Sequence, residues 1–150
     1  MSRFRQVAPV SRLWWVILLG IFLATAANLI FFFLLTSVFQ KPLLFPNQFP
    51  PPVLSPLGVD DIVMFSEIFS TGAGLVFAII GNLSRRPART FLIVSLIVLV
   101  ISFALPLKIP SPPVAMAAKL CLVAMHVIGA IVVVGTLIVF GTAPGERTGV

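Results

Sequence analysis

The chain has one cysteine, one histidine and four acidic residues in a length of 150, and each scarcity removes a class of chemistry. A lone thiol, Cys121, cannot form an intramolecular dithiol, which excludes quinone-linked disulfide exchange within the chain. A lone imidazole, His126, excludes bis-histidine haem in a single chain. A metal centre of ordinary ligand number would have to start from His126 and Glu67 and would find little else. No glycine-rich phosphate loop, GxSxG or HExxH occurs, so no cofactor is called for and no nucleophile–base pair announces an enzyme. Charge is the deepest deficit. Only 9% of residues are charged, where a soluble domain carries about 25%, so there is too little polar surface to coat a globule in water.

What is present instead is apolar sequence in long runs, giving 59% hydrophobic residues and a mean hydropathy of +1.17. Leu13 to Val38 carries no charge and is preceded by Arg3, Arg5 and Arg12. At about 1.5 Å per residue it crosses a hydrocarbon core of about 30 Å with some tilt. The basic start and Ala24-Thr25-Ala26 also permit a cleaved signal peptide, but the run continues through Leu29 to Leu35, well past the 7–15 residues (roughly) of a signal h-region. It is therefore expected to remain as a spanning helix.

The remaining punctuation predicts an all-α, polytopic membrane protein: one domain, a bundle of four transmembrane helices over about 13–38, 61–83, 88–105 and 114–140. Asp60 or Asp61 is placed to cap the second helix. The break Ser84-Arg85-Arg86-Pro87 forces the third to run back beside it, and that third helix, nearly pure aliphatic, reads as the most lipid-exposed. Prolines 42, 46, 50, 51, 52 and 56 stiffen the first outer loop (39–60), and prolines 106, 110, 112 and 113 the second (106–113). Leu43, Leu44, Leu54 and other apolar residues in the first loop suggest a cover folded over helix ends or lying on the bilayer.

Arg3, Arg5, Arg12, Arg85, Arg86, Arg89 and Arg147 fall on one side of this topology, against Lys41, Lys108 and Lys119 on or near the other. The positive-inside rule puts both termini in the cytoplasm, in a bacterial cytoplasmic membrane. The net charge of +6 then answers anionic headgroups. Nucleic acid is not the expected partner, because the basic residues are split into short juxtamembrane groups.

Within the apolar runs, Glu67, Lys119 and His126 are the ionisable exceptions. An ionised group at mid-bilayer costs about 2.5–3.5 kcal/mol on insertion scales and normally faces protein or water. Glu67 and Lys119 lie at matched depth near the outer side, so they either pair, or Lys119 snorkels while Glu67 bonds Ser70 or Thr71. His126 is two turns beyond Lys119 on the same face, level with Asn28. It is either a neutral imidazole bonded to Asn28 or a backbone carbonyl, or a proton-accepting group coupled to Glu67. Small-residue faces, Gly20-Ala24-Asn28 on the first helix, Glu67-Thr71-Gly74-Ala78-Gly81 on the second and His126-Gly129-Ala130-Val133 on the fourth, predict that these three helices converge. Gly72-Ala73-Gly74 reads as a packing feature.

Ala26-Ala27-Asn28, the proline-rich loop after it, Arg85-Arg86-Pro87-Ala88-Arg89-Thr90-Phe91 and Ala124-Met125-His126-Val127-Ile128-Gly129-Ala130 together resemble a family of small uncharacterised bacterial membrane proteins, a domain of unknown function. The resemblance spans about Leu13 to Phe140. It implies a four-helix membrane domain and no activity, ligand or catalytic residue, and the motifs that carry it do not include Glu67 or Lys119, which leaves open whether those two are peculiar to this chain.

Function is thus expected to be non-enzymatic: binding or moving a small or lipophilic molecule, or serving as an accessory subunit, with Glu67, His126, Lys119, Asn28 and Thr71 as ligand or proton-pathway candidates. The alternatives are a structural scaffold and a lipid-modifying enzyme with His126 as base. The expected partners are the lipid bilayer, a second copy or another membrane subunit, and a small lipophilic ligand.

Overall fold

The structure, a computed structural model, describes residues 5–7, 10–40, 43–48, 53–108 and 116–144. In chain order the elements are β1 (Arg5–Val7), α1 (Val10–Phe39), β2 (Leu44–Gln48), β3 (Val53–Pro56), α2 (Val59–Leu83), α3 (Pro87–Ser102), α4 (Ala104–Lys108), α5 (Met116–Phe140) and β4 (Thr142–Pro144). Four helical stretches, 12–38, 59–83, 87–108 and 116–140, are long and apolar enough to cross a membrane. The chain is a multi-pass membrane protein built as a four-helix bundle. Prolines 42, 50–52, 110, 112 and 113 and the expected start of the last helix at 114 lie outside the described residues.

Local chemistry sets each helix end. α1 stops at Gln40, whose φ of 50° places it in the left-handed region used to close helices; its N–H donates to the Thr36 carbonyl at 2.9 Å. At α2 the expected cap is corrected. Gly58 is the N-cap, and Asp61, three residues on, accepts the Gly58 N–H at 2.8 Å, while Asp60 is exposed. The turn into α3 is held by Ser84, whose Oγ meets Thr90 Oγ1 at 2.8 Å and accepts the Arg86 N–H at 3.2 Å. Pro87 follows at the first helical position, where its missing N–H is harmless.

The third span is not the single helix expected over 88–105. It breaks at Phe103 between α3 and α4 because Pro106 has no N–H to offer the carbonyl of Ser102 and its ring crowds that position. Pro106 is then tolerated in the first turn of α4. The only buried residues of α3 are Pro87 and Phe91, which makes it the helix most open to lipid, as its aliphatic sequence predicts.

α1 runs antiparallel to both α2 and α5 and packs against each; α3 packs on α2 and α5. Two apolar clusters fill the bundle. Leu13, Val16, Ala24, Phe77, Phe91, Val133 and Leu137 form one at the end carrying the termini, where the Phe77 and Phe91 rings meet edge to face at 4.9 Å. Leu43, Leu57, Ile62, Leu122 and Met125 form the other. Leu43 and Leu57 flank the antiparallel β2–β3 ladder, so the proline-rich loop forms a hairpin over the helix ends opposite the termini. A second ladder pairs Arg5 with Pro144, Gln6 with Ala143 and Val7 with Thr142, tying the two chain ends together. The polar tail expected after Gly141 therefore begins as a strand.

Candidate functional site

Close approaches set the register of the central helices. A Cβ added to Gly74 would lie 2.5 Å from Ile17 Cγ1 and Cδ1, one on Gly20 would lie 4.0 Å from Thr136 Cγ2, and one on Gly129 would lie 3.4 Å from Asn28 Nδ2. α1, α2 and α5 converge as their small-residue faces predict. The buried stripe of α2 is Ile62, Ser66, Ser70, Gly74 and Phe77; it shares Gly74 with the stripe expected through Glu67, Thr71, Gly74, Ala78 and Gly81 but leaves Glu67 and Thr71 one position off it. Glu67 and Thr71 face away from the bundle, exposed among Met64, Ile68 and Leu75, which are exposed as well.

Counting outward from the Gly74–Ile17 contact, Ser70 is about 6 Å away, and Ser66 and Thr25 are each eight residues on, about 12 Å, hence level with one another. Asn28 and its neighbour Gly129 follow at about 16 Å, His126 about 4–5 Å beyond and Lys119 a further 10 Å or so. Thr136, buried and level with Gly20, closes the other end. The polar residues thus form a file along the junction of α1, α2 and α5. From Thr136 to Lys119 it spans seventeen positions of α5, about 25 Å, most of a hydrocarbon core.

Three oxygens in this file are buried with no hydrogen-bond partner: Thr25 Oγ1, Asn28 Oδ1 and Ser70 Oγ. Ser70 is 2% exposed. Hydroxyls on membrane helices ordinarily bond back to a carbonyl one turn earlier. Thr136 does so, to Val132 O at 2.7 Å, and Thr36 does so to Phe32 O at 3.0 Å; Thr25 and Ser70 do not. A buried polar group left without a partner costs about 1–3 kcal/mol, so these oxygens call for a donor.

His126 makes a bond within its own helix, Nδ1 to the Leu122 carbonyl at 2.7 Å. A carbonyl only accepts, so Nδ1 carries a proton and Nε2 is the ring nitrogen left for other partners. Of the two bland partners expected for it, the backbone carbonyl is the one found and Asn28 is not. The ring lies against Phe69, centroids 6.3 Å apart. Lys119 is 5% exposed, and neither an ion pair nor a hydrogen bond joins it to any described residue. The expected Glu67–Lys119 pair does not form: one side chain is buried and the other points out of the bundle, and the expected match in depth fails too, since by this count Lys119 lies about 20 Å further out than Glu67. Among the described residues no group of three or more His, Cys, Asp or Glu side chains could hold a metal ion.

A family model, described as a family of unknown function (DUF6069), matches residues 8–140. The chain belongs to the DUF6069 family. The match takes in all four spans, the covering hairpin and every residue of the polar file, and stops short of the strands β1 and β4. No curated protein and no solved structure matches this DUF6069 member.

Sequence reasoning found Asn28, His126 and Lys119 but missed Thr25, Ser66 and Ser70. A signal was available. Ile62, Ser66, Ser70, Gly74 and Phe77 recur at helical spacing and contain the smallest side chains of α2, which is how a membrane helix permits close contact. The ionisable Glu67 drew the face toward itself by one residue.

Proposed function

We propose that this DUF6069 protein binds a small hydrogen-bond donor, a molecule carrying O–H or N–H, within the file between α1, α2 and α5, and that binding or passing such a molecule is its role in the membrane. One observation carries the reading: Thr25, Asn28 and Ser70 present buried, unpartnered oxygens along a single seam. Asn28 Oδ1 is purely an acceptor and the hydroxyls can act either way, so the occupant must donate. In this reading a proton route through the bundle passes His126 Nε2 and bypasses Glu67. Both termini face the cytoplasm, with arginines 5, 12, 85, 86 and 89 on that side.

The test is thiol access. In a Cys121→Ser background, Thr25→Cys, Asn28→Cys and Ser70→Cys are exposed in vesicles to a small neutral maleimide, with Phe77→Cys and Leu137→Cys as apolar core controls. The seam positions should react at least tenfold faster than the controls. Equal, negligible reaction at all five positions would leave the file dry and favour a structural scaffold.

A second reading has its own support. Glu67 is exposed about 12 Å from the start of α2 at Val59, on a face of apolar side chains. A carboxylate presented to lipid at that depth is costly. We propose that this face meets a partner membrane helix, which would make the protein an accessory subunit.

A further inference from the structure

Lys119 stands at the outer end of the polar file but differs from it in kind. It is a cation, three residues into α5, about 4–5 Å from that helix's first residue. A lysine so close to an interface can reach water by extending its side chain. This one is 5% exposed instead. It shares a buried stripe with Leu122 and Met125, at three-residue spacing along α5. Those two pack with Leu43 and Leu57 from the hairpin flanks and with Ile62 of α2.

Among the described residues nothing supplies this cation a counter-charge. Of its four acidic residues, Asp60 and Glu67 are exposed, Asp61 holds the Gly58 amide, and Glu146 lies outside the described residues. A buried ion without a partner is strongly unfavourable unless something else supplies the opposite charge. The surroundings specify what that something is. It must be anionic to answer Lys119 and apolar to lie among leucines and methionine, and it must be available at headgroup depth.

We propose that Lys119, at the hairpin-covered end of α5, binds the anionic headgroup of an amphiphile, with the acyl chain running along the lipid-exposed side of α5 beside Met116 and Leu120. The shared chemistry is an oxyanion on a hydrocarbon tail. A fatty-acid carboxylate and a phospholipid phosphodiester both provide it. This site lies about 15 Å outward of Asn28 and Gly129 and stands independently of the donor-binding seam.

The full chain, purified in an uncharged maltoside, is incubated with oleate, dioleoylphosphatidylglycerol or zwitterionic dioleoylphosphatidylcholine, and read by native mass spectrometry of retained adducts and by thermal melting. Oleate or phosphatidylglycerol should be retained and raise the melting temperature, and phosphatidylcholine should do neither. A shift with oleate alone assigns a free carboxylate; a shift with phosphatidylglycerol alone, or with both anions, assigns a headgroup site that accepts phosphodiesters. Lys119→Gln should bind the retained anion at least tenfold more weakly and Lys119→Arg should keep it. Equal retention of phosphatidylcholine by the wild-type chain, no retention of any probe, or undiminished anion binding by Lys119→Gln would overturn the assignment. The comparison of lipids on the wild-type chain decides the matter even if Lys119→Gln fails to fold.

Discussion

Two glycines of α2, separated by one residue, should respond differently to substitution. A Cβ on Gly72 meets nothing within 4 Å. Alanine in a helix interior is favoured over glycine by about 0.8–1.0 kcal/mol, so Gly72→Ala should stabilise the protein by up to about that amount. A Cβ on Gly74 falls 2.5 Å from Ile17 Cγ1 and Cδ1 but an ordinary 3.6 Å from Ile17 Cβ. Carbon pairs prefer about 3.5–4.0 Å, so the close atoms must move by about 1 Å. Turning the Ile17 side chain accomplishes this, and overpacking of this sort costs about 1–3 kcal/mol. The helical gain of alanine offsets much of it, leaving Gly74→Ala near neutral. Gly74→Val adds two more methyl groups at the same contact and should destabilise by about 2–3 kcal/mol. Equilibrium unfolding in a detergent titration reads these differences. Ile17→Ala combined with Gly74→Val should recover part of the loss, because the two residues share one space. If Gly74→Val unfolds at the same titrant fraction as Gly72→Val, α1 and α2 do not approach at Gly74, and the depth assignments counted from that contact fail with it.

Removing an unpartnered hydroxyl relieves its desolvation, so Ser70→Ala should be neutral or stabilising by about 1 kcal/mol in the same unfolding assay; a loss of 1 kcal/mol or more would mean that Ser70 has a partner within the protein. Asp61→Ala removes the acceptor of the Gly58 amide and should destabilise by about 0.5–2 kcal/mol, with Asp60→Ala, at an exposed position, as the comparison expected to show little change.

The architecture was legible because membrane solubility is written in run length. A stretch such as Leu13 to Val38 has few folded fates besides a spanning helix, and proline clusters can only lie between spans. The small-residue faces of α1 and α5 were legible for a related reason: Gly20, Ala24 and Gly129 serve little purpose on a lipid-facing surface and much in a close contact. The face of α2 was harder to read. In water, burial sorts polar from apolar, but α2 carries apolar residues on every side, and its exposed face holds Met64, Ile68 and Leu75. The ordinary inference, that an ionisable residue turns inward, pointed to Glu67; the structure turns the smaller serines inward instead. The break at Phe103 was available from Pro106 by counting back one helical turn. The β1–β4 ladder was not, since three-residue strands at opposite ends of a chain leave no periodic signal. The inward position of Lys119 was legible from its helix face; that it would stand without Glu67 was not.

The central claim is an arrangement: a polar file enclosed by α1, α2 and α5, with Asn28 against Gly129 and Glu67 outside. Paired cysteines test it most directly. In a Cys121→Ser background, Asn28→Cys with Gly129→Cys should form an intramolecular cross-link with a short bis-methanethiosulfonate reagent in membranes, because a Cβ at 129 would lie 3.4 Å from the Asn28 amide nitrogen. Glu67→Cys with Lys119→Cys should form none, and any cross-link through position 67 should join separate chains. Efficient intramolecular coupling of positions 67 and 119, with none between 28 and 129, would contradict the account.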